Sequence, residues 1–145
     1  MANTLLDREK AEHVKALGKL EHDLIAWFTT VGADGAPHAV PVWFFWHDGH
    51  VLVFSEPGTV KVAHVRAGSP VLVHLEAGVF GNEVVIIDGT AEISERSTAD
   101  WLTEIGGAYE QKYERAIADY GSSLRQIAET FDTAIVVTPT RVRAW

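Results

Sequence analysis

The chain has 145 residues, a net charge of −8 and no cysteine. Its length and its hydrophobic fraction of 47% fit one folded domain over residues 1–145 and exclude a disordered chain. The lack of cysteine excludes disulfides, thiolate metal ligands and a cysteine nucleophile, and the acidic balance argues against nucleic acid as a partner.

Targeting segments are not evident in the sequence. No apolar run approaches the roughly 18 residues that a membrane-spanning helix needs. The N-terminal sequence MANTLLDREKAEH is charged and helical in pattern, without the apolar core of a secretion signal. We therefore expect a cytoplasmic protein that has no membrane partner.

The first predicted element is a helix that starts at Thr4, has an acidic first turn at Asp7 and ends near Gly18. Further helical patterns lie at residues 59–67, 98–119 and 122–130. We expect Gly106 and Gly107 to break the long helix, because glycine is a poor helix former.

Six apolar, β-branched runs predict strands, at residues 24–31, 39–46, 51–55, 70–76, 83–93 and 133–145. Asp–Gly turns join the first three runs, and Gly89 is expected to form a bulge. Tight turns indicate an antiparallel meander, and the late sixth strand favours closure into a barrel without exposed edges. The predicted fold class is mainly β with flanking helices (α+β): a six-stranded antiparallel β-barrel.

The second predicted strand is apolar on both faces. Trp43 and Phe45 share one face, and Phe44 and Trp46 share the other. One face can line the barrel interior, whereas the other needs a helix, a partner subunit or a flat ligand to cover it. Pro41 lacks a backbone donor, which predicts an edge or a bulge at that position.

The segment SEPGTVKVAHVR is the best candidate for a binding site. Backbone N–H groups at a helix start are unpaired, so a cap at Thr59 with Lys61 and Ser55 nearby would suit a phosphate. His64 follows Lys61 by three residues and could reach the same ligand. Equally, Thr59 could be only a cap, Lys61 a solvated side chain and His64 a packing residue, and Glu56 argues weakly against an anion.

No other motif points to chemistry. The seven histidines show no metal-ligand spacing, so no metal site is expected, and no catalytic Ser/His/Asp or carboxylate grouping stands out. Arg141 and Arg143 share one face of the last strand, where they could meet an anionic ligand tail or form a charged outer surface. Trp145 could stack on a ring or pack at a dimer contact.

The run from Phe28 to Glu76 contains the sequence DGAPHAVPVWF and, downstream, Lys61 at the opening of a short helix. This run resembles the pyridoxamine 5′-phosphate oxidase-like split-barrel family, and the later VVIIDGTAEI and PTRVRAW extend the likeness over residues 5–145. More narrowly, the chain is similar to the branch of small, deazaflavin (coenzyme F420)-dependent oxidoreductases.

The resemblance implies an FMN-binding-like split β-barrel that forms a homodimer, with its cofactors at the subunit interface. By position, Lys61 with Ser55 and Thr59 would hold the cofactor phosphate. The segment of the second strand that would run beside the cofactor ring consists of His38, Val40, Pro41, Val42 and Trp43. Many members carry a basic residue where this chain has Ala63, and the multiply basic signature of true pyridoxamine phosphate oxidases is absent.

The leading hypothesis is therefore an oxidoreductase. It would transfer a hydride between F420, the preferred cofactor, or FMN and an unidentified small organic substrate. One alternative is a protein that binds or sequesters the same cofactor without turnover. Another is a tetrapyrrole-binding relative that uses His64 or His74 as an axial ligand.

Overall fold

A computed structural model describes residues 5–145, so the predicted helix start at Thr4 lies outside the described residues. In chain order, the elements are α1 (Ala11–His22), β1 (Ile25–Val31), β2 (Pro37–Trp43), β3 (Phe45–His47), β4 (His50–Ser55), α2 (Val60–Arg66), β5 (Val71–Leu75), β6 (Val85–Ile93), α3 (Thr98–Tyr120), α4 (Leu124–Thr130) and β7 (Thr133–Ala144). No helix within residues 5–145 is long and apolar enough to cross a membrane.

All the strands belong to one antiparallel sheet with the order β2-β1-β5-β6-β7-β4-β3. Val42 on β2 and Val53 on β4 lie near opposite ends of this order, yet both belong to the same buried cluster. The sheet therefore curls into a half-barrel, which confirms the predicted mainly β class and the split-barrel fold. β2 is an edge strand, as Pro41 predicts.

The two-faced pattern around residue 44 is confirmed. Phe44 is fully buried in the barrel interior, and Trp46 packs against the same cluster. Trp43 and Phe45 pack on the outer side, in a second cluster built largely from α3 and α4. The sequence allowed a helix, a partner subunit or a flat ligand to cover this outer face. In the structure, helices cover Trp43 and Phe45.

The predicted strand 39–46 is two strands, β2 and β3, separated at Phe44. The Phe44 N–H donates to the Tyr113 hydroxyl at 2.8 Å, and its carbonyl accepts from Lys112 Nζ at 2.8 Å. Because side chains of α3 bind both the N–H and the carbonyl of Phe44, the chain leaves the sheet there. This split gives seven strands among the described residues where the sequence predicts six.

Helix α1 starts later and ends later than the sequence predicts. Asp7 forms a turn instead of a first helical turn, since its Oδ1 accepts from the Glu9 N–H at 2.9 Å. The helix passes through Gly18 because Ala16 and Leu20, four residues apart, are both buried. This packing outweighs the glycine penalty of about 1 kcal/mol.

The expected break of α3 at Gly106 and Gly107 is wrong. From a capping box at Ser97 the helix runs without interruption through both glycines, and it is kinked at Tyr113 instead, where the backbone departs from helical angles (φ −106°, ψ 15°). The bulge at Gly89 is confirmed by a register shift between Asp88 and Gly89. Glycine is needed there because a Cβ would lie 2.7 Å from the Thr138 carbonyl oxygen.

Candidate functional site

A cavity of about 300 Å³ opens between the end of β2, the end of β4 and the two helices α3 and α4. Its lining is mostly aromatic and aliphatic, with one lysine and one glutamate. The lining residues are Pro41, Val42, Trp43, Phe54, Ser55, Glu56, Thr59, Lys61, Tyr109, Tyr120, Ile127 and Phe131.

Six of the nine predicted site residues meet in this cavity. The segment 41–43 comes from β2, and Ser55, Thr59 and Lys61 come from the β4–α2 connection. These two segments lie near opposite ends of the sheet order, so only the curl of the sheet brings them together. The structure thus joins the two parts of the site that the family resemblance implies.

The hydroxyl groups at the β4–α2 connection bind each other. Ser55 Oγ donates to the Glu56 carbonyl at 2.8 Å and lies 3.0 Å from Thr59 Oγ1. Thr59 is the N-cap by backbone position, but its side chain caps no N–H of the first turn. The expectation of a hydroxyl cap is therefore corrected: Thr59 Oγ1 is drawn toward Ser55 and the Glu56 carbonyl, 3.4 Å away.

Lys61 is partly buried at the cavity. Burial lowers the pKa of its ammonium, and the nearby Glu56 carboxylate opposes this by raising it. The ammonium group of Lys61 makes no hydrogen bond and no ion pair with any other residue in 5–145. An unpaired cation beside a largely apolar cavity can receive the anionic part of a ligand.

An aromatic wall closes the other side of the cavity. Trp43 stacks on Tyr113, with 4.7 Å between ring centroids and 9° between the ring planes. Tyr120 lies edge-on to Trp43 at 6.4 Å and contacts Phe131 at 6.3 Å. Tyr113 is buried in the outer cluster and does not line the cavity. Tyr109 and Tyr120 do line it, and their spacing of eleven residues, about three helical turns, could have suggested that they share one face of a helix.

The other three predicted residues do not line the cavity. His64 Nδ1 lies 2.8 Å from Thr30 Oγ1, and its ring meets His38 edge-on at 5.9 Å. The side chain of Val40 packs against the barrel core. Alternation along β2 places His38 and Val40 on the interior side, opposite Pro41 and Trp43. Val42 shares the interior side, but it lies next to the end of the strand and also borders the cavity.

His74 and His47 also engage other protein groups. His74 stacks on Trp27 at 6.4 Å, and His47 Nε2 lies 2.8 Å from a Glu104 carboxylate oxygen. Within residues 5–145, no group of three or more His, Cys, Asp or Glu side chains could hold a metal ion. These contacts give the tetrapyrrole alternative no specific support.

The C-terminal arginines lie outside the cavity lining. Arg143 Nη2 binds the Asp88 carboxylate at 3.1 and 3.3 Å, while Arg141 is exposed. Trp145 is 59% exposed, and its backbone pairs with Val84 at 3.0 and 3.2 Å. Arg143 is therefore engaged within the protein, as a charged strand face would be.

Several solved structures match this fold over most of their own length. An F420 reductase matches with a TM-score of 0.66 and 19% identity, covering 87% of this chain and 94% of its own. A conserved hypothetical protein of Mycobacterium tuberculosis matches with a TM-score of 0.71 and 18% identity, covering 100% of this chain and 89% of its own. An FAD-binding protein of Mesorhizobium loti matches with a TM-score of 0.63 and 20% identity, covering 89% of this chain and 88% of its own. At these identities the likeness shows the fold.

The sequence itself carries the family signature. No curated protein matches it significantly. The family model described as pyridoxamine 5′-phosphate oxidase, however, matches residues 11–145, almost the entire chain. Together with the split barrel and the cavity at Lys61, this match assigns the family: the chain belongs to the pyridoxamine 5′-phosphate oxidase family.

Proposed function

We propose that the protein is an oxidoreductase that transfers a hydride between a bound cofactor, F420 by preference or FMN, and a small organic substrate. The observation that supports this proposal is the cavity in which Pro41, Val42 and Trp43 face the Lys61 ammonium, which has no ion-pair partner among the described residues 5–145. A flat apolar surface next to a fixed positive charge suits a planar ring with an anionic tail.

The residues present fit such a cofactor. The outer face of β2 is exposed at Pro37, Ala39 and Pro41, so a ring has room to lie along this edge strand. Lys61, with the Ser55 and Thr59 hydroxyls, would bind the phosphate. Glu56 also lines the cavity and would oppose an anion, so Lys61 has to provide most of the attraction.

Each part of the site has a separate role. When bound, the cofactor supplies the hydride chemistry, and the chain supplies binding, orientation and protection from water. Lys61 anchors the tail, the 41–43 segment aligns the ring, and the wall formed by Trp43, Tyr120 and Phe131 excludes water from the reacting face. Proteins of the same fold include an F420 reductase and an FAD-binding protein, so the preference for F420 rests on the resemblance of the sequence to the deazaflavin-dependent branch.

The test is a parallel fluorescence titration of the full chain with F420 and with FMN. We expect low-micromolar binding of F420 and weaker binding of FMN. Lys61→Ala should weaken F420 binding about tenfold to a hundredfold, as the loss of one charge-assisted contact predicts. Lys15→Ala is the matched control, because Lys15 pairs with Glu83 and does not line the cavity.

Each outcome of this titration has a defined meaning. Equal affinity in wild type and Lys61→Ala would remove Lys61 from the site, and binding of neither cofactor would overturn the proposal. Tight binding without reduction of any tested acceptor would favour the non-catalytic alternative. Tighter binding of FMN would keep the oxidoreductase and reverse the cofactor preference.

A further inference from the structure

The cavity contains a buried hydroxyl group that the phosphate site does not use. Tyr109 is 3% exposed and lines the cavity, yet its hydroxyl forms no hydrogen bond with any residue in 5–145. Tyr113, one helical turn later, has its hydroxyl within 2.8 Å of three backbone groups at Leu24 and Phe44. The hydroxyl of Tyr113 is thus bound by protein groups, whereas that of the neighbouring Tyr109 has no partner in residues 5–145.

The Tyr109 oxygen faces open space instead of protein atoms. Among the residues described, Arg143 Nε is the one side-chain polar atom that is both sealed from solvent and without a partner. The Tyr109 hydroxyl also lacks a partner among these residues, but it does not belong with Arg143 Nε, so its oxygen is accessible to solvent. The cavity is the space that this side chain lines. A tyrosine hydroxyl that faces a cavity is available to donate a hydrogen bond to an acceptor bound there.

The cavity has an inner and an outer end. Exposed Glu56 and partly exposed Lys61 mark the solvent side, whereas the buried side chains of Tyr109 and Ile127 mark the inner end. The inner walls are aromatic and aliphatic, with Phe54 packed on Tyr109 at 5.3 Å. The inner end is therefore an apolar recess with one hydrogen-bond donor, and it lacks a charge to match an ionised group.

The size of the cavity limits what it can hold. Its volume of about 300 Å³ is roughly twice the ~150 Å³ of an engineered apolar cavity that binds benzene. It is also at the small end of the range for ligand sites. Such a space accommodates about two fused rings, so a nucleotide-sized cofactor would have to lie mostly outside, at the Lys61 end.

We infer that the inner recess is the substrate site and takes a neutral, planar molecule of about two fused rings, whose carbonyl-type oxygen accepts a hydrogen bond from the Tyr109 hydroxyl. The role as substrate site rests on the proposed oxidoreductase function. Burial raises the pKa of Tyr109 above its usual range, so the hydroxyl stays a protonated donor at neutral pH.

The test compares two probes of the same shape, 1,4-naphthoquinone and naphthalene, by equilibrium dialysis against the full chain. The quinone has two acceptor oxygens and naphthalene has none, and the chain has no cysteine with which a quinone could react. Tyr109→Phe should weaken naphthoquinone binding about five- to thirtyfold, the loss of one hydrogen bond. Naphthalene should bind wild type and variant equally.

A second measurement checks that the variant keeps its fold. Tyr109→Phe removes no protein hydrogen bond, so its Tm should match that of wild type. Tyr113→Phe removes the bonds to Leu24 and Phe44, and its Tm should fall by about 4 °C or more. This contrast separates a ligand-facing hydroxyl from a structural one.

Equal naphthoquinone affinity in wild type and Tyr109→Phe would overturn the inference, and so would failure of wild type to bind naphthoquinone. The cofactor titration remains independent of this result. If F420 and FMN both fail to bind while naphthoquinone behaves as expected, the proposed function fails and the recess stands. If a cofactor binds and naphthoquinone does not, the substrate inference alone fails.

Discussion

Residue 44 is where a helix and the sheet meet most closely. Lys112 Nζ lies 3.8 Å from the Phe44 ring centroid as well as 2.8 Å from its carbonyl oxygen. The Tyr113 hydroxyl accepts from the Phe44 N–H and lies within donating distance of the carbonyl oxygens of Leu24, at 2.7 Å, and Phe44, at 2.8 Å. These side chains hold α3 against the break between β2 and β3. Helix α3 in turn carries Tyr109 and Tyr120, which line the cavity.

The position of Lys112 predicts a pH dependence of stability. Burial lowers the pKa of Lys112 to about 8, and Asp23 opposes this by raising it. Above that pH the unfolded chain, with its lysine still protonated, binds more protons than the folded one, so stability increases with pH. From about pH 8 to about pH 9.5 we expect a gain of about 1.5 kcal/mol in the free energy of unfolding.

Urea denaturation of wild type and Lys112→Met at these two pH values measures this contribution. Any effect of Lys61, whose pKa is also lowered, is common to both proteins and cancels in the comparison. The buried tyrosines Tyr109 and Tyr113 have raised pKa values and reverse the trend only above about pH 10. An equal rise in the variant would contradict the prediction.

At the scale of elements, the glycines show why local propensity is a weak guide. Gly107 is exposed in the middle of α3. Apart from its chain neighbours and the adjacent backbone of the helix, no atom lies within 4 Å of the position that a Cβ would take, so the helix tolerates this glycine without needing it. Gly89, in contrast, lies where β6 meets β7 so closely that a side chain has no room. Only packing distinguishes the two positions.

Alanine substitutions should therefore have opposite effects at these glycines. Gly107→Ala should raise the free energy of unfolding by about 0.5–1 kcal/mol, because alanine is the better helix former. Gly89→Ala should lower it by about 1–3 kcal/mol, since the new Cβ would press on the Thr138 carbonyl oxygen, 2.7 Å away. Urea midpoints at constant m-value measure both, and a stabilised Gly89→Ala would show that the bulge can relax.

At the scale of the whole molecule, two exposed apolar surfaces have no cover within residues 5–145. The outer face of β2 is exposed at Pro37, Ala39 and Pro41. On the connection between β5 and β6, Val79 is 92% exposed and Phe80 is 89% exposed. Because exposed apolar surface of this kind often marks an interaction site, these surfaces support the proposed homodimer.

We expect the protein to be a dimer in solution. Light scattering coupled to size-exclusion chromatography should give twice the mass of one chain, and the mass should persist on dilution to low-micromolar concentration. The same experiment with F420 added tests whether the cofactor strengthens the association, as a site at the subunit interface would require. A mass of one chain in both conditions would contradict the homodimer.

The sequence predicts much of the architecture because its signals are local. Alternation and Asp–Gly turns place the strands, and the two apolar faces at residues 43–46 follow from the strand period alone. The same local rules misplace the ends of α1 and the break in α3. Burial of Leu20 and the anchoring of Tyr113 decide those features, and both depend on contacts distant in the chain.

By itself, the sequence determined the mainly β class and the family resemblance, and it predicted a site at residues 55–61, because each depends on contiguous residues. Only the tertiary structure decided that this segment meets Pro41–Trp43, since the curl of the sheet joins strands from opposite ends of its order. It also decided that His64 turns to Thr30 and that Tyr109 lines the cavity, with a hydroxyl that has no hydrogen-bond partner in residues 5–145. Which groups face one another depends on packing between distant segments, and no local pattern encodes that.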